Sequence, residues 1–327
     1  VNKDSDLYRK HPDWILQTPG RRVSHGRYQY VLDFSRKEIV DYIYGMIAKL
    51  LSESNISYIK WDMNRSITEC YSIAYPADQQ GEIFHRYILG VYDLYERLTS
   101  AFPEVLFESC ASGGGRFDPG MLYYAPQGWV SDDSDAVERL KIQYGTSMCY
   151  PLSSMGSHVS VIPNHQVFRN TPLHTRANVA YFGTFGYELD LNKLSDAEIE
   201  EVKAQIRFMK EYRELLQFGT FYRLKSPFNG NETVWMVVSE DKSKALVGYY
   251  RVLNGVNLPY SCVKLQGLDP DKLYENELAN TEHYGDELMN LGLITTDVSA
   301  GEVPQGAEPC TDFESRIYLL KEKQSTN

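Results

Sequence analysis

Ser57-Tyr58-Ile59-Lys60-Trp61-Asp62-Met63-Asn64 is the stretch on which the fold turns. Read as a strand, its side chains alternate, with Tyr58, Lys60, Asp62 and Asn64 on one face and Ile59, Trp61 and Met63 on the other. A parallel strand of an α/β protein is covered on both sides and reads apolar throughout, so a lysine and an aspartate at the C-terminal end of this one require a reason. One reason is a buried structural ion pair. Another is a site at the top of an α/β barrel, where catalytic groups gather at C-terminal strand ends and Lys60 keeps Asp62 ionised by opposite charge.

The surroundings of this strand repeat its pattern. From Tyr28 to about Gln217 short strand-like runs (28–33, 57–62, 105–110, 128–132, 159–163 and 179–185) alternate with helical ones (36–51, 82–99 and 136–144), the signature of a parallel sheet built from βα units. Asp135, three residues before Glu138, is expected to open the 136–144 helix with a capping box. Ser195-Asp196-Ala197-Glu198 opens a long amphipathic helix to about Gln217, with acidic residues where a helix N-terminus prefers them. After Gly219 the texture becomes β-rich (220–224, 233–239, 245–252, 261–265 and 316–320), divided by turns such as Phe228-Asn229-Gly230-Asn231. Two domains are expected: an α/β part over 1–218 and an antiparallel β-sandwich over 219–327.

Carboxylates dominate the chemistry within reach. Trp129-Val130-Ser131-Asp132-Asp133-Ser134-Asp135 brings three acids to a strand-to-helix junction. Such acids can simply favour a helix N-terminus, the reading that suits Asp135. Asp132 stands closest to the strand end and can share a cleft with Asp62, the two-carboxylate arrangement that glycoside hydrolysis requires. Glu108, on the same strand face as Cys110, is a rival for the acid role. Cys110-Ala111-Ser112-Gly113-Gly114-Gly115-Arg116 follows a strand end, and its glycines permit positive φ or close backbone approach to a ligand. It matches neither the dinucleotide nor the nucleotide-phosphate fingerprint. Arg27, just before another run, is by default a surface arginine.

Other chemistries find no footing. The six histidines of the α/β part, His11, His25, His85, His158, His165 and His174, form no HExxH and no paired ligand spacing, and there is no GxSxG elbow. Five cysteines, Cys70, Cys110, Cys149, Cys262 and Cys310, are scattered and odd in number, which suggests neither a zinc site nor a disulfide framework. A formal charge of −11 without a basic run argues against a nucleic-acid partner. No apolar run is long enough to cross a bilayer, and no cofactor is implied. The 25 tyrosines and 4 tryptophans suit a sugar-handling surface and an ordinary core equally well.

Taken in order, five blocks resemble the bacterial α-galactosidases of glycoside hydrolase family 36. They are Asp4-Ser5-Asp6-Leu7-Tyr8 with His11-Pro12-Asp13-Trp14, Arg27-Tyr28-Gln29-Tyr30-Val31-Leu32-Asp33, Tyr58-Ile59-Lys60-Trp61-Asp62-Met63-Asn64-Arg65, the Cys110 to Arg116 loop, and Trp129 to Asp135 running on through Glu138-Arg139-Leu140-Lys141. The resemblance implies a retaining galactosidase with Asp62 as nucleophile and Asp132 as general acid/base. It also implies a galactose pocket lined by Arg27, Lys60, Asn64, Cys110, Gly113 and Trp129. The implied fold is a (β/α)8 barrel followed by a C-terminal β domain.

Family members carry an N-terminal β-sandwich and two further barrel strands before the region matched here. The chain, which starts at Val1 and has no methionine before Met46, is expected to be a partial barrel lacking its native N-terminus. The implied substrates are galactosides of the melibiose and raffinose type, and the implied full-length protein is a cytoplasmic homo-oligomer. An α-N-acetylgalactosaminidase, a galactosyl transferase of the same family, or an inactive sugar-binding fragment are the alternatives.

Overall fold

The alternation at 57–64 produces the expected strand. In the computed structural model, which describes residues 1–256, 261–295 and 312–324, the chain divides into two compact units, 1–132 and 133–327.

The first unit runs α1 (Asp6–Lys10), α2 (Lys37–Glu53), β1 (Tyr58–Asp62), α3 (Ile83–Ala101), β2 (Leu106–Cys110), α4 (Pro119–Tyr124) and β3 (Gln127–Gly128). The three strands pair in parallel in the order β1-β2-β3, with Lys60 opposite Glu108, Asp62 opposite Cys110, and Glu108 opposite Gln127. Helical crossovers between parallel neighbours make this a βα sheet. Its apolar face belongs to the helices: Val40, Leu51, Val91, Leu94, Tyr95, Leu98 and Phe107 form one buried cluster, and the Tyr95 ring lies 5.0 Å from Trp61 and 5.7 Å from Phe107. α3 stops where Pro103 follows, since a residue before proline is pushed out of helical ψ; Phe102 sits at φ −132°. The opposite face carries Tyr58, Lys60 and Asp62, all three more exposed than Ile59 and Trp61 between them.

Two expected strands of this unit are corrected. Residues 28–33 form only isolated bridges, Asn2 to Gln29, Gly26 to Gln29 and Ile15 to Leu32. Their backbone bonds are divided between two neighbouring segments, Tyr30 N to Val1 O (2.8 Å) and Leu16 N to Val31 O (2.9 Å), so no continuous ladder forms. Arg27 and Tyr28 take positive φ (51° and 61°), which breaks the extended course at its start. The run 128–132 contributes only Gln127–Gly128 and one further ladder-like bond, Trp129 N to Ser109 O at 2.9 Å. Beyond it the backbone turns against the glycine loop.

The second unit comprises α5 (Ala136–Thr146), β4 (Gly156–Ser160), α6 (Leu173–Ala180), β5 (Thr184–Glu188), α7 (Asp196–Phe218), β6 (Thr220–Lys225), β7 (Glu232–Val238), β8 (Lys244–Arg251), β9 (Cys262–Val263), β10 (Leu273–Asn276), β11 (Thr281–Tyr284), α8 (Gly285–Asn290), β12 (Leu293–Ile294) and β13 (Glu314–Glu322). β4 and β5 pair in parallel. The strand expected at 159–163 begins earlier, at Gly156. The run 179–185 divides between the end of α6 and β5, because a short apolar stretch such as Val179-Ala180-Tyr181-Phe182 suits a buried helix end as well as a strand. Ser195 forms the capping box of α7 in both directions. At α5 only half of a box exists: Asp135 accepts from Val137 N and Glu138 N, while its own N–H turns to Asp133 and Glu138 bonds Arg169 instead.

The β-rich part is a six-stranded sheet in the order β11-β10-β13-β8-β7-β6, with every pairing antiparallel, beside a two-stranded β12-β9 ribbon. β7 is buried along almost its whole length. Val234, Met236 and Val238 pack with Val263, Leu265, Leu288 and Leu293 on one face. On the other, Trp235 meets Phe182 at the end of α6 and Phe221 of β6, with ring centroids at 5.5 and 6.2 Å. β10, β11 and α8 had no clear signal in the sequence, and Cys310 lies outside the described residues. No helix among the described residues is long and apolar enough to cross a membrane.

Candidate active site

The C-terminal ends of β1 and β2 and the loop after β3 bring most of the proposed residues together within the first unit. Asp62 ends β1 exposed to solvent. Asn64 Nδ2 donates to Asp62 Oδ2 at 2.5 Å, and Asn64 is itself held by Ser112 Oγ at 3.1 Å. Cys110 stands opposite Asp62 in the ladder. Burial pushes its thiol up to about 11, the Gly113 amide pulls the other way, and the Asp62 carboxylate adds to the rise. The thiol is therefore uncharged near neutral pH.

The glycine loop seats the second aspartate. Gly113 has φ +82°, and a β-carbon there would come within 2.9 Å of Ser131 Cα and 3.0 Å of Asp132 N. A β-carbon on Gly114 would meet Val130 O at 2.8 Å. The two backbones lie against each other, which only glycine permits. Arg116 pins the loop to the strand ends through Trp61 O (3.0 Å) and Cys110 O (2.6 Å). Trp129, buried, donates from Nε1 to Asp132 Oδ1 at 3.1 Å, and Lys60 Nζ stands 4.4 Å from the centre of the Trp129 ring.

Lys60 makes its ion pair with Glu108 Oε1 at 3.3 Å and not with Asp62, so the opposite-charge role expected for it is directed at a different carboxylate. Glu108 is buried, and its other oxygen accepts from the Tyr58 hydroxyl and from Gln127 Nε2 (3.1 Å). Burial and Glu108 together push the Tyr58 phenol far up. Strand alternation puts Tyr58, Lys60 and Glu108 on one face; nothing in the sequence singles out Gln127.

Arg27 stands apart. It is exposed, and among the described residues it makes no hydrogen bond or ion pair to the strand-end group. Asp135 is the cap of α5 and bonds Arg169, as its position at a helix start suggested. A cavity of about 320 Å³ opens beside Asp62, bounded by Asn64, Arg65, Arg116, Trp61 and Tyr95 together with residues 29–32. Among the described residues no group of three or more His, Cys, Asp or Glu side chains could hold a metal ion. An exposed carboxylate held by Asn64 and a second one held by an indole can divide nucleophilic and proton-transfer work between them.

Comparison with known proteins gives the chain its family. Residues 1–219 match the model of the Melibiase family, and residues 232–320 match the glycosyl hydrolase family 36 C-terminal domain. The chain is 56% identical over 324 residues to alpha-galactosidase AgaA of Geobacillus stearothermophilus, covering 99% of itself and 43% of that protein. It is 50% identical over 321 residues to alpha-galactosidase Mel36A of Lactobacillus acidophilus, covering 98% of itself and 42% of the relative. The crystal structure of AgaA matches with a TM-score of 0.93 at 52% identity over 99% of this chain and 43% of that one, and variants of AgaA have been crystallised with raffinose and with stachyose. The chain thus spans less than half the length of these relatives.

Proposed function

The chain belongs to the melibiase family, glycoside hydrolase family 36, and from that premise we propose that it is the C-terminal catalytic part of a retaining α-galactosidase. In this reading residues 1–218 are the later βα units of a (β/α)8 barrel, and 219–327 are its C-terminal β domain. The observation that carries the proposal is the pair Asp62 and Asp132 beside the C-terminal ends of parallel strands, each held by its own donor. The raffinose and stachyose complexes of the Geobacillus relative bear substitutions at two aspartates seventy positions apart, the separation of Asp62 and Asp132 here.

Asp62 attacks the anomeric carbon of an α-galactoside as Asp132 gives its proton to the departing oxygen, leaving galactose bound to Asp62 as an ester. Asp132, now ionised, takes a proton from water; the water oxygen bonds the anomeric carbon, the ester C–O bond breaks, and α-galactose leaves. Asn64 holds Asp62 in line. Lys60, Cys110, Gly113 and Trp129 complete the sugar pocket, with raffinose-type oligosaccharides as substrates; Arg27, exposed and apart from the strand-end group, is left out of it. On the same premise the full-length protein is a cytoplasmic homo-oligomer.

The test is hydrolysis of raffinose and of p-nitrophenyl α-galactoside by the full-length protein and by residues 1–327 alone. Asp62→Ala abolishes turnover of both substrates. Asp132→Ala lowers raffinose hydrolysis by about 10²–10⁴-fold. α-Galactose is the first product seen by NMR. A first product of β configuration, or an Asp62→Ala protein as active as its parent, rejects the mechanism.

A further inference from the structure

Glu108 is a buried carboxylate that this mechanism does not use. Only 2% of it is exposed, and it stands opposite Lys60 in the β1–β2 ladder and opposite Gln127 in the β2–β3 ladder. Its two oxygens do different things: Oε2 takes the neutral donors, the Tyr58 hydroxyl and Gln127 Nε2, and Oε1 faces the Lys60 ammonium at 3.3 Å. A buried carboxylate is costly unless it is paired. Tyr58 and Gln127 orient the group, and Lys60 supplies the opposite charge beside it.

The ion pair has a second consequence. Lys60 is partly exposed and, as a flexible four-carbon stem, has many rotamers open to it. Held by Glu108, its ammonium lies 4.4 Å from the centre of the Trp129 ring. Trp129 in turn holds Asp132 Oδ1 through its indole N–H at 3.1 Å. The contacts run without a gap from Glu108 through Lys60 and Trp129 to the proposed acid/base.

Resting on the galactosidase reading, we infer that Glu108 is a positioning residue: by anchoring Lys60 over Trp129 it holds the indole, and so the Asp132 carboxyl, where the leaving oxygen is protonated. The effect falls on proton transfer. Protonation matters greatly for a sugar leaving group and little for p-nitrophenolate, which departs without help.

The experiment uses the full-length protein and measures kcat/KM for raffinose and for p-nitrophenyl α-galactoside. Glu108→Gln keeps the shape and removes the charge. It is expected to lower kcat/KM for raffinose by about ten- to a hundredfold, the scale on which outer-shell orienting groups act, while the aryl substrate loses only a few-fold. In a Lys60→Met background Glu108→Gln is expected to change the ratio of the two substrates no further, because its path is already cut. Equal losses on both substrates, or a further change in the Lys60→Met background, overturn the proposal and leave Glu108 a folding residue. Should Glu108→Gln not fold, Tyr58→Phe, which removes one clamp on Glu108, decides: a raffinose-selective loss supports the proposal and an unchanged ratio overturns it. An Asp62→Ala protein as active as its parent would reject the galactosidase reading itself, and is recognised apart from these outcomes because it does not involve Glu108.

Discussion

Gly113 shows how a single residue sets the geometry of the site. Its positive φ and the closeness of Ser131 and Asp132 leave no room for a side chain. Gly113→Ala must accept left-handed strain of about 1–2 kcal/mol and push the Asp132 backbone away. A displacement near 1 Å can cost about 10²-fold in rate, so kcat/KM for raffinose should fall on that scale with only a modest drop in the urea midpoint. Cys110 makes a different prediction. Its folded-state pKa, about 11, lies above the unfolded thiol value. The stabilisation is therefore fully present below the unfolded value of about 8.5 and is lost as pH rises through about 11. Unfolding free energies measured between pH 8 and 11 should decline, and Cys110→Ser should flatten that decline. Tyr87 and Tyr95, which burial pushes up to about 12, extend the loss to higher pH in both proteins. At this scale Asp62 and Asp132 were legible as candidates from residue type and place. The pairing of Lys60 with Glu108 was not, because alternation assigns a face without saying which neighbour on it an ammonium will reach.

Among the elements, α5 and α7 offer a controlled comparison of helix starts. Ser195 is an exposed cap that bonds Glu198 N and receives the Glu198 side chain in return. Ser195→Ala should cost about 1 kcal/mol. Asp135 is buried, accepts two helix N–H groups, and also bonds Arg169. Asp135→Ala, which strips charged hydrogen bonds as well as the cap, should cost more, about 2–3 kcal/mol. Urea denaturation of both variants measures the difference, and equal costs would mean that the Arg169 contact adds nothing. β1 was readable from its two-residue alternation, and β2 as a short run between turn signals that is buried at every residue but the first. The run 28–33 has the same texture yet forms no strand. A strand exists only with a partner, and the partners of 28–33 are two short antiparallel pieces whose positions no local pattern records. Likewise, the polarity of Asp135 and Glu138 announced a capping box, but Arg169, thirty-one residues beyond Glu138, claimed the glutamate.

The second unit as a whole is bound together by its sheet. Trp235 is fully buried, donates to the Tyr250 hydroxyl at 3.1 Å, and packs on Phe182, while Tyr250 donates to Asn178 O of α6 at 2.6 Å. Trp235→Ala should therefore cost about 3–5 kcal/mol, and hydrogen exchange in α6 should accelerate together with that in β7 and β8. Exchange that quickens in the sheet alone would mean that α6 and the sheet unfold separately. The sequence by itself determined the class of each region, with βα alternation before Gly219 and β texture after it, and it singled out the acids at 62 and 132 and the glycine loop between them as the candidate site. These are local signals, carried by side-chain period and residue type. Only the tertiary structure decided which strands find partners, that Lys60 turns to Glu108, that the glycine loop lies backbone to backbone against Asp132, and that the β-rich part buries its second face on α6. Each of these joins residues distant in the chain, and the free energy of such contacts depends on packing and desolvation that no stretch of sequence contains alone.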